Sequence, residues 1–247
     1  MGLSVVGLPT CKINRKRTTV AYVPNYTKAV PRTEGRMKRY VRFVRMVLTR
    51  WVRDKTFVFD GRTYRYFYHF YNKTWKNERG VEIPIFQDLI RTHQGKHILE
   101  VGNVLAHYGP IQHDIVDKYE VEPGVINLDI VEFVPTDRYD LIVSISTLEH
   151  VGWDETPREP AKLLQALEHL RTRCLAPGGT IVASLPLGHN AFFDNLLKTG
   201  QTPFTTQHFL KRISPHNYWI ESEWEHCRDA KYGRSVANAI VIGVIAS

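Results

Sequence analysis

Cysteine is scarce in this chain of 247 residues. Cys11, Cys174 and Cys227 show no metal-ligand spacing and are too few for a disulfide framework. Long apolar runs are missing too. The longest near the end, VANAIVIGVIA at 236–246, is about half a membrane span and contains Asn238. The opening MGLSVV lacks the charged-then-apolar layout of a signal peptide. Val6 stands where a myristoylation signal wants Ser or Thr. The cytoplasm is therefore the expected compartment. No Walker sequence and no zinc-protease motif occurs, which removes two large enzyme classes and gives no reason to expect a metal. Acidic residues are rare in one region only. Residues 1–60 hold 14 Lys or Arg and 3 Asp or Glu, a balance of +11. Residues 61–247 hold 19 and 22, a balance of −3. The net charge of +8 thus describes a basic arm on a slightly acidic body.

Hydrophobic content of 43% is ordinary for a globular protein, and the length suits one large domain with an extension. The expected division is a basic N-terminal arm and helical extension over 1–80, and a single α/β domain over 81–247. Residues 1–35 read as an extended arm with Pro9, Pro24, Pro31 and the cluster Arg15-Lys16-Arg17. Residues 36–53, RMKRYVRFVRMVLTRWVR, read as a helix. Tyr40, Phe43, Val44, Val47, Leu48, Trp51 and Val52 recur at spacings of three and four, with arginines between them. Phe57–Asp60 and Tyr64–Tyr71 are rich in aromatics, and the pattern fits short strands or a packed helix equally.

From residue 83 the pattern alternates. A short helix is expected over Ile83–Arg91. Strands are expected at His97–Val101, Asp114–Tyr119, Val125–Asp129, Asp140–Ile145 and Thr180–Leu185. A helix at 159–174 carries Leu163, Leu164, Leu167, Leu170 and Cys174 on one stripe, and Ala176-Pro177-Gly178-Gly179 makes a turn. Such alternation implies a mostly parallel sheet covered on both faces. Tyr218–Trp224 and Ala237–Ile245 are joined too closely for a crossover helix, so they are expected to pair antiparallel at one edge.

The stretch HILEVGNVLAHYG at 97–109 places Glu100 and Gly102 at the carboxyl end of a strand, where open α/β sheets bind ligands. Gly102 permits a tight turn and a close backbone approach. Val104 and Ala106 then stand where a dinucleotide site wants glycines to cradle a pyrophosphate. This argues against a nicotinamide enzyme and for a nucleoside-like ligand without that phosphate pair.

Here the chain resembles the class I S-adenosylmethionine-dependent methyltransferases, and among them the small-molecule and glycan-type branch (methyltransferase type 11-like). The resemblance covers about 95–247 and rests on an ordered set. HILEVGNVLAHYG looks like the first motif, HDIVDKYE carries an acidic residue after the next strand, and INLDI carries another. YDLIVSISTLEHVG and LAPGGTIVASLPLG match the fourth and fifth strands. It implies a Rossmann-like seven-stranded mostly parallel sheet with an antiparallel C-terminal edge pair. It also implies S-adenosyl-L-methionine as cofactor. Glu100 and Gly102 would shape the turn, and Asn103 would offer its amide to the amino-acid end. Asp117 would bind the ribose hydroxyls, with Glu120 a rival. Asp129 would lie by the adenine, and Ser146 would end the fourth strand beside the cofactor.

Transfer to a hydroxyl needs a partner for its proton. His150 is the first candidate and Glu149 the second. His189 and Asn190 follow the fifth strand and would line the acceptor pocket, while His107 and Tyr108 would begin the helix after the first turn. The expected acceptor is a hydroxyl of a sugar, glycan or related small metabolite. The plain reading of residues 36–53 is an extra helix packed on the sheet domain with a solvated basic face; the functional reading that suits this acceptor lays it on an anionic membrane surface, Arg and Lys on the headgroups and Phe43 and Trp51 reaching inward. An RNA methyltransferase is the alternative enzyme, disfavoured because the basic excess stops before the catalytic region. An inactive cofactor-binding or interaction module is the third reading.

Overall fold

The computed structural model describes residues 55–233 and 236–246. The basic helix expected at 36–53 and the arm before it lie outside the described residues. A hairpin comes first, β1 (Thr56–Phe59) and β2 (Arg62–Arg65), then a 3-10 segment at Tyr71–Lys76 and helix α1 (Arg79–Thr92). Strands β3 (Ile98–Val101), β4 (Asp114–Val116), β5 (Val125–Ile126) and β6 (Tyr139–Ile145) follow. Then come α2 (Lys162–His169), β7 (Leu175–Pro186), α3 (Ala191–Lys198), β8 (Thr206–Arg212), β9 (Trp219–Ser222), α4 (Trp224–Cys227) and β10 (Ala239–Ala246).

The main sheet has eight strands in the order β5-β4-β3-β6-β7-β10-β8-β9. Neighbours from β5 to β7 are parallel, and β10, β8 and β9 are joined antiparallel. This is the expected Rossmann-like architecture, with one strand more than seven. The chain runs from β3 outward to β5, then returns to β6 on the other side of β3. That reversal creates a topological switch point between β3 and β6.

The pairing at the C-terminal end differs from expectation. β9, from the stretch Tyr218–Trp224, pairs with β8 at the sheet edge, and β10 inserts between β8 and β7. Burial explains the choice. Six of the eight β10 residues are buried, Val244 is half-buried and only Ala246 is exposed, so the strand is covered on both faces and paired on both sides. β9 exposes Ile220 and Glu221, which an edge tolerates.

The connections also differ. Between β3 and β6 the chain crosses by loops and a single 3-10 turn at Leu105–His107, not by helices. His107 and Tyr108 therefore begin no helix. The helical stretch expected at 159–174 is α2 followed by a wider π-type turn at Leu170–Cys174; of its expected stripe Leu163, Leu167, Leu170 and Cys174 are buried and Leu164 is half-buried.

Two apolar layers sandwich the sheet. Leu99, Val101, Ile142 and Ile181 face α2 and α3 through Leu163, Leu167 and Phe193. Ile98, Leu141, Val143, Ile145, Ile240 and Ile242 face the opposite way, onto Phe57, Phe59, Tyr66, Ile83 and Phe86. The aromatic stretch of uncertain class is thus a hairpin that covers the second face together with α1. Each such side chain fully buried contributes about 1.5–3 kcal/mol of transfer free energy. Helix α1 tolerates an internal Pro84 for a local reason. The bond Pro84 cannot make would end on the Gly80 carbonyl, and Phe67 N–H donates to that carbonyl instead at 2.9 Å. Gly80 is needed there, because a Cβ would lie 2.8 Å from the Thr74 carbonyl oxygen.

Candidate functional site

Beyond the carboxyl ends of β3, β4, β5 and β6 lies a cavity of about 330 Å³. It sits at the switch point. Gly102, Asp117, Asp129, Ser146 and His150, five of the residues singled out from the sequence, line it. Thr147, Lys118, Tyr119, Leu128, Asp154 and Glu155 complete most of the wall. Glu100, Asn103 and Glu149 are buried behind the wall.

The first turn is built by hydrogen bonds. Glu100 is fully buried, and its Oε1 accepts from the Val104 and Leu105 N–H groups at 2.9 and 2.8 Å. His113 Nε2 lies 2.8 Å from its other oxygen. Glu100 therefore holds the turn after β3 where a helix would otherwise begin. Gly102 has φ +90°, and a Cβ built there would lie 2.2 Å from Thr147 Oγ1. The close approach that demands glycine is thus to Thr147 of the facing loop. Asn103 N–H donates to Asp117 Oδ2 at 3.0 Å, and its Nδ2 donates to Glu120 Oε2 at 2.6 Å. Its buried Oδ1 has no partner.

Asp117 directly follows β4. Its other oxygen accepts from the Tyr119 and Glu120 N–H groups, both at 2.8 Å. A carboxylate offers about four acceptor positions, so one remains for a ligand hydroxyl. Asp129 is already paired. Its Oδ2 lies 2.6 Å from Lys162 Nζ and 2.9 Å from Lys118 Nζ, and Glu155 Oε2 binds the same two ammonium groups. Burial works against the Asp129 charge, but the two lysines outweigh it and hold the carboxyl below its ordinary range. No sequence spacing announces this four-charge cluster, whose members come from three separate segments.

Ser146 directly follows β6, with φ +40°. Its residue lines the cavity, but its hydroxyl donates to the buried Glu82 Oε1 at 2.6 Å. Arg79 pairs with Glu82 Oε2 at 2.5 Å and reaches the Ser146 carbonyl at 3.5 Å. Helix α1 therefore clamps the loop that carries His150. Glu149, on that loop, is 1% exposed. Burial pushes its carboxyl well up, and Oε2 has no hydrogen-bond partner.

His150 faces the cavity. Its Nδ1 lies 2.5 Å from Asp154 Oδ2, and its Nε2 lies 3.5 Å from Glu149 Oε1. His189, from the loop after β7, meets the same Asp154 oxygen at 3.3 Å. Burial opposes the Asp154 charge, yet the two histidines outweigh it and hold the carboxyl down. Asp154 follows His150 by four residues in sequence, which is the one signal that would have found it. Asn190 serves as a helix cap: its Oδ1 accepts from Phe193 N–H at 3.0 Å and its Nδ2 donates to the Glu149 carbonyl at 2.8 Å. His107 stacks on Tyr71 with ring centroids 4.3 Å apart, away from the cavity wall.

No protein-family model matches the chain, and no curated protein does. Among solved structures it is similar to the N-methyltransferase NodS of Bradyrhizobium japonicum WM9. That match has 15% identity and a TM-score of 0.40, over 67% of this chain and 96% of that one. A SAM-dependent methyltransferase of Archaeoglobus fulgidus matches at 14% identity and a TM-score of 0.41, over 72% and 98%. An rRNA methylase of Escherichia coli matches at 12% and 0.38, over 69% and 65%. Among the described residues no helix is long and apolar enough to cross a membrane.

Proposed function

We propose that this protein is a methyltransferase that uses S-adenosyl-L-methionine and methylates a hydroxyl of a small metabolite such as a sugar or glycan. One observation carries the reading. The switch-point cavity brings together Gly102, a carboxylate directly after β4, and His150 after β6, with no helix N-terminus at the first turn to cradle phosphate. A nucleoside with a charged sulfonium and no phosphate suits that lining. Asp117 receives the ribose hydroxyls. The unpartnered Oδ1 of Asn103 accepts from the ammonium of the amino-acid end, with a shift of the side chain toward the cavity.

The chemistry is an in-line displacement. An acceptor oxygen supplies the electron pair for the new C–O bond while the C–S bond of the sulfonium breaks. The products are the methyl ether and a neutral thioether, and the hydroxyl proton passes to His150. Positioning the two reactants about 3 Å apart supplies much of the rate, worth several kcal/mol. Asp154 holds the His150 ring in place. Nε2 is then the nitrogen that takes the proton, and the buried Glu149 Oε1 lies 3.5 Å from it. The wall carries Asp117, Asp129, Asp154 and Glu155 against Lys118, a balance that favours a neutral acceptor over a nucleic-acid backbone. Residues 36–53 are proposed, on their sequence alone, as the contact with an anionic membrane surface.

His150→Ala is expected to lower kcat at least about a hundredfold while leaving S-adenosylmethionine affinity within about threefold, the scale of a lost acid–base group. Asp117→Ala is expected to do the reverse, raising the cofactor Kd at least about tenfold. Steady-state kinetics and calorimetry separate the two. Unchanged turnover in His150→Ala would remove His150 from the chemistry.

A further inference from the structure

Two histidines and an aspartate from two separate loops converge at the cavity mouth. His150 Nδ1 and His189 Nε2 address one oxygen, Asp154 Oδ2, at 2.5 and 3.3 Å. One ligand atom from each residue lies within 4.8 Å of the others. Metal bonds of about 2.1 Å set neighbouring donors about 3 Å apart, so the observed spacings bracket what a single ion requires. Histidine ligands to a metal are ordinarily held by a further group on the other ring nitrogen, and one stands here. His150 Nε2 lies 3.5 Å from Oε1 of the buried Glu149, an oxygen placed to orient the ring from the side away from the ion. The His189 ring packs edge-on against Tyr232, centroids 4.9 Å apart, and against His150 at 4.6 Å. The cluster is also open. The His150 and Asp154 side chains are each 46% exposed and line the cavity, so an ion held there would be reachable from it.

We propose that His150, Asp154 and His189 hold one divalent transition-metal ion at the mouth of the cavity. Two imidazoles and one carboxylate suit zinc, manganese or cobalt, and not the all-oxygen preference of magnesium or calcium. The binding site stands on this geometry alone. Its role rests on the methyl-transfer reading. An acceptor hydroxyl that binds the cation gives up its proton to solvent more readily, and the resulting alkoxide attacks the methyl group. In the loaded protein His150 is a ligand, and the cation replaces it as the group that makes the acceptor nucleophilic.

The test uses the full chain, stripped with a chelator and dialysed. Zn²⁺ is titrated by equilibrium dialysis with metal analysis, and Co²⁺ by visible absorption. One equivalent of zinc per chain is expected, with cobalt d–d bands of a nitrogen- and oxygen-ligated ion. His189→Ala and Asp154→Ala are each expected to weaken zinc binding at least about tenfold. Both sites are on loops, and thermal melts check that the variants remain folded, with His189→Gln as a milder second variant. No zinc on the unaltered chain, or equal affinity in all variants, would overturn the site. S-adenosylmethionine is titrated into the same samples. Zinc binding without cofactor binding would sink the methyl-transfer reading and leave the metal site. Cofactor binding without zinc would do the opposite.

Discussion

Gly102→Ala will weaken S-adenosylmethionine binding at least about tenfold and lower the melting temperature. Two effects add. The backbone at φ +90° is one that a residue with a Cβ adopts at a cost of about 1–2 kcal/mol. The new Cβ would also stand 2.2 Å from Thr147 Oγ1 and 2.6 Å from Thr147 Cγ2. Thr147 lines the cavity, so relief of the contact pushes it into ligand space. The double variant Gly102→Ala, Thr147→Gly removes the collision, which includes the Thr147 Cβ at 2.8 Å, and keeps the backbone strain at 102. It should regain most of the binding and only part of the stability. Calorimetry and thermal melts read both. Unaltered affinity in Gly102→Ala would mean that the first turn does not shape the site.

Arg79→Ala should be the most destabilising single change near the site, by about 3–5 kcal/mol at neutral pH, the cost of leaving buried carboxylates without their cation. Glu78, the residue that caps the start of α1, and Glu82 within it are buried beside Arg79, and Glu149 faces them. Burial raises Glu78, then the nearby Glu82 charge raises it further, while Arg79 works the other way. Glu149 is likewise raised by burial and lowered by Arg79. An acid whose folded value is raised binds more protons folded than unfolded. Its contribution is complete below the ordinary carboxylate range and is lost as pH rises through the raised value. Without Arg79 the folded values climb further, so the variant loses stability more steeply as pH rises. The deficit relative to the unaltered chain should be smaller near about pH 5 than near about pH 8. Urea denaturation at both values, with Arg79→Lys as the charge-retaining control, checks this. An equal deficit at both pH values would mean that these carboxylates do not feel Arg79. The cluster matters to function because it clamps Ser146, and through Ser146 the loop that carries His150.

Local signals were the legible ones. The apolar runs at 98–101, 139–145 and 239–246 became strands because both faces of the sheet are covered, and all but the half-buried Leu164 of the stripe on α2 is buried as its spacing predicts. Gly102, Asp117, Asp129, Ser146 and His150 reached one cavity because each follows a parallel strand, and parallel strands end on the same side. What the spacing hid was partnership at long range. Ser146 looked like a cofactor contact, but its hydroxyl is taken by Glu82, 64 residues away. Asp129 was expected beside the adenine, and its pairing with Lys118 and Lys162 gave no sign in the spacing. The pairing of β9 with β10 failed because short connection length was weighed over burial. A strand as apolar as β10 belongs inside the sheet, and the half-exposed β9 belongs at its edge. The missing crossover helices after β3 had a warning in the sequence itself: Pro110, Pro123 and Pro135 punctuate the three connections and discourage helix.

Calorimetric titration of the chain with S-adenosylmethionine, and with NAD in a parallel run, tests the central claim most directly. The account predicts micromolar binding of the first, weakened by Asp117→Ala, and none of the second. Binding of NAD, or no binding of S-adenosylmethionine with and without added Zn²⁺, would contradict it.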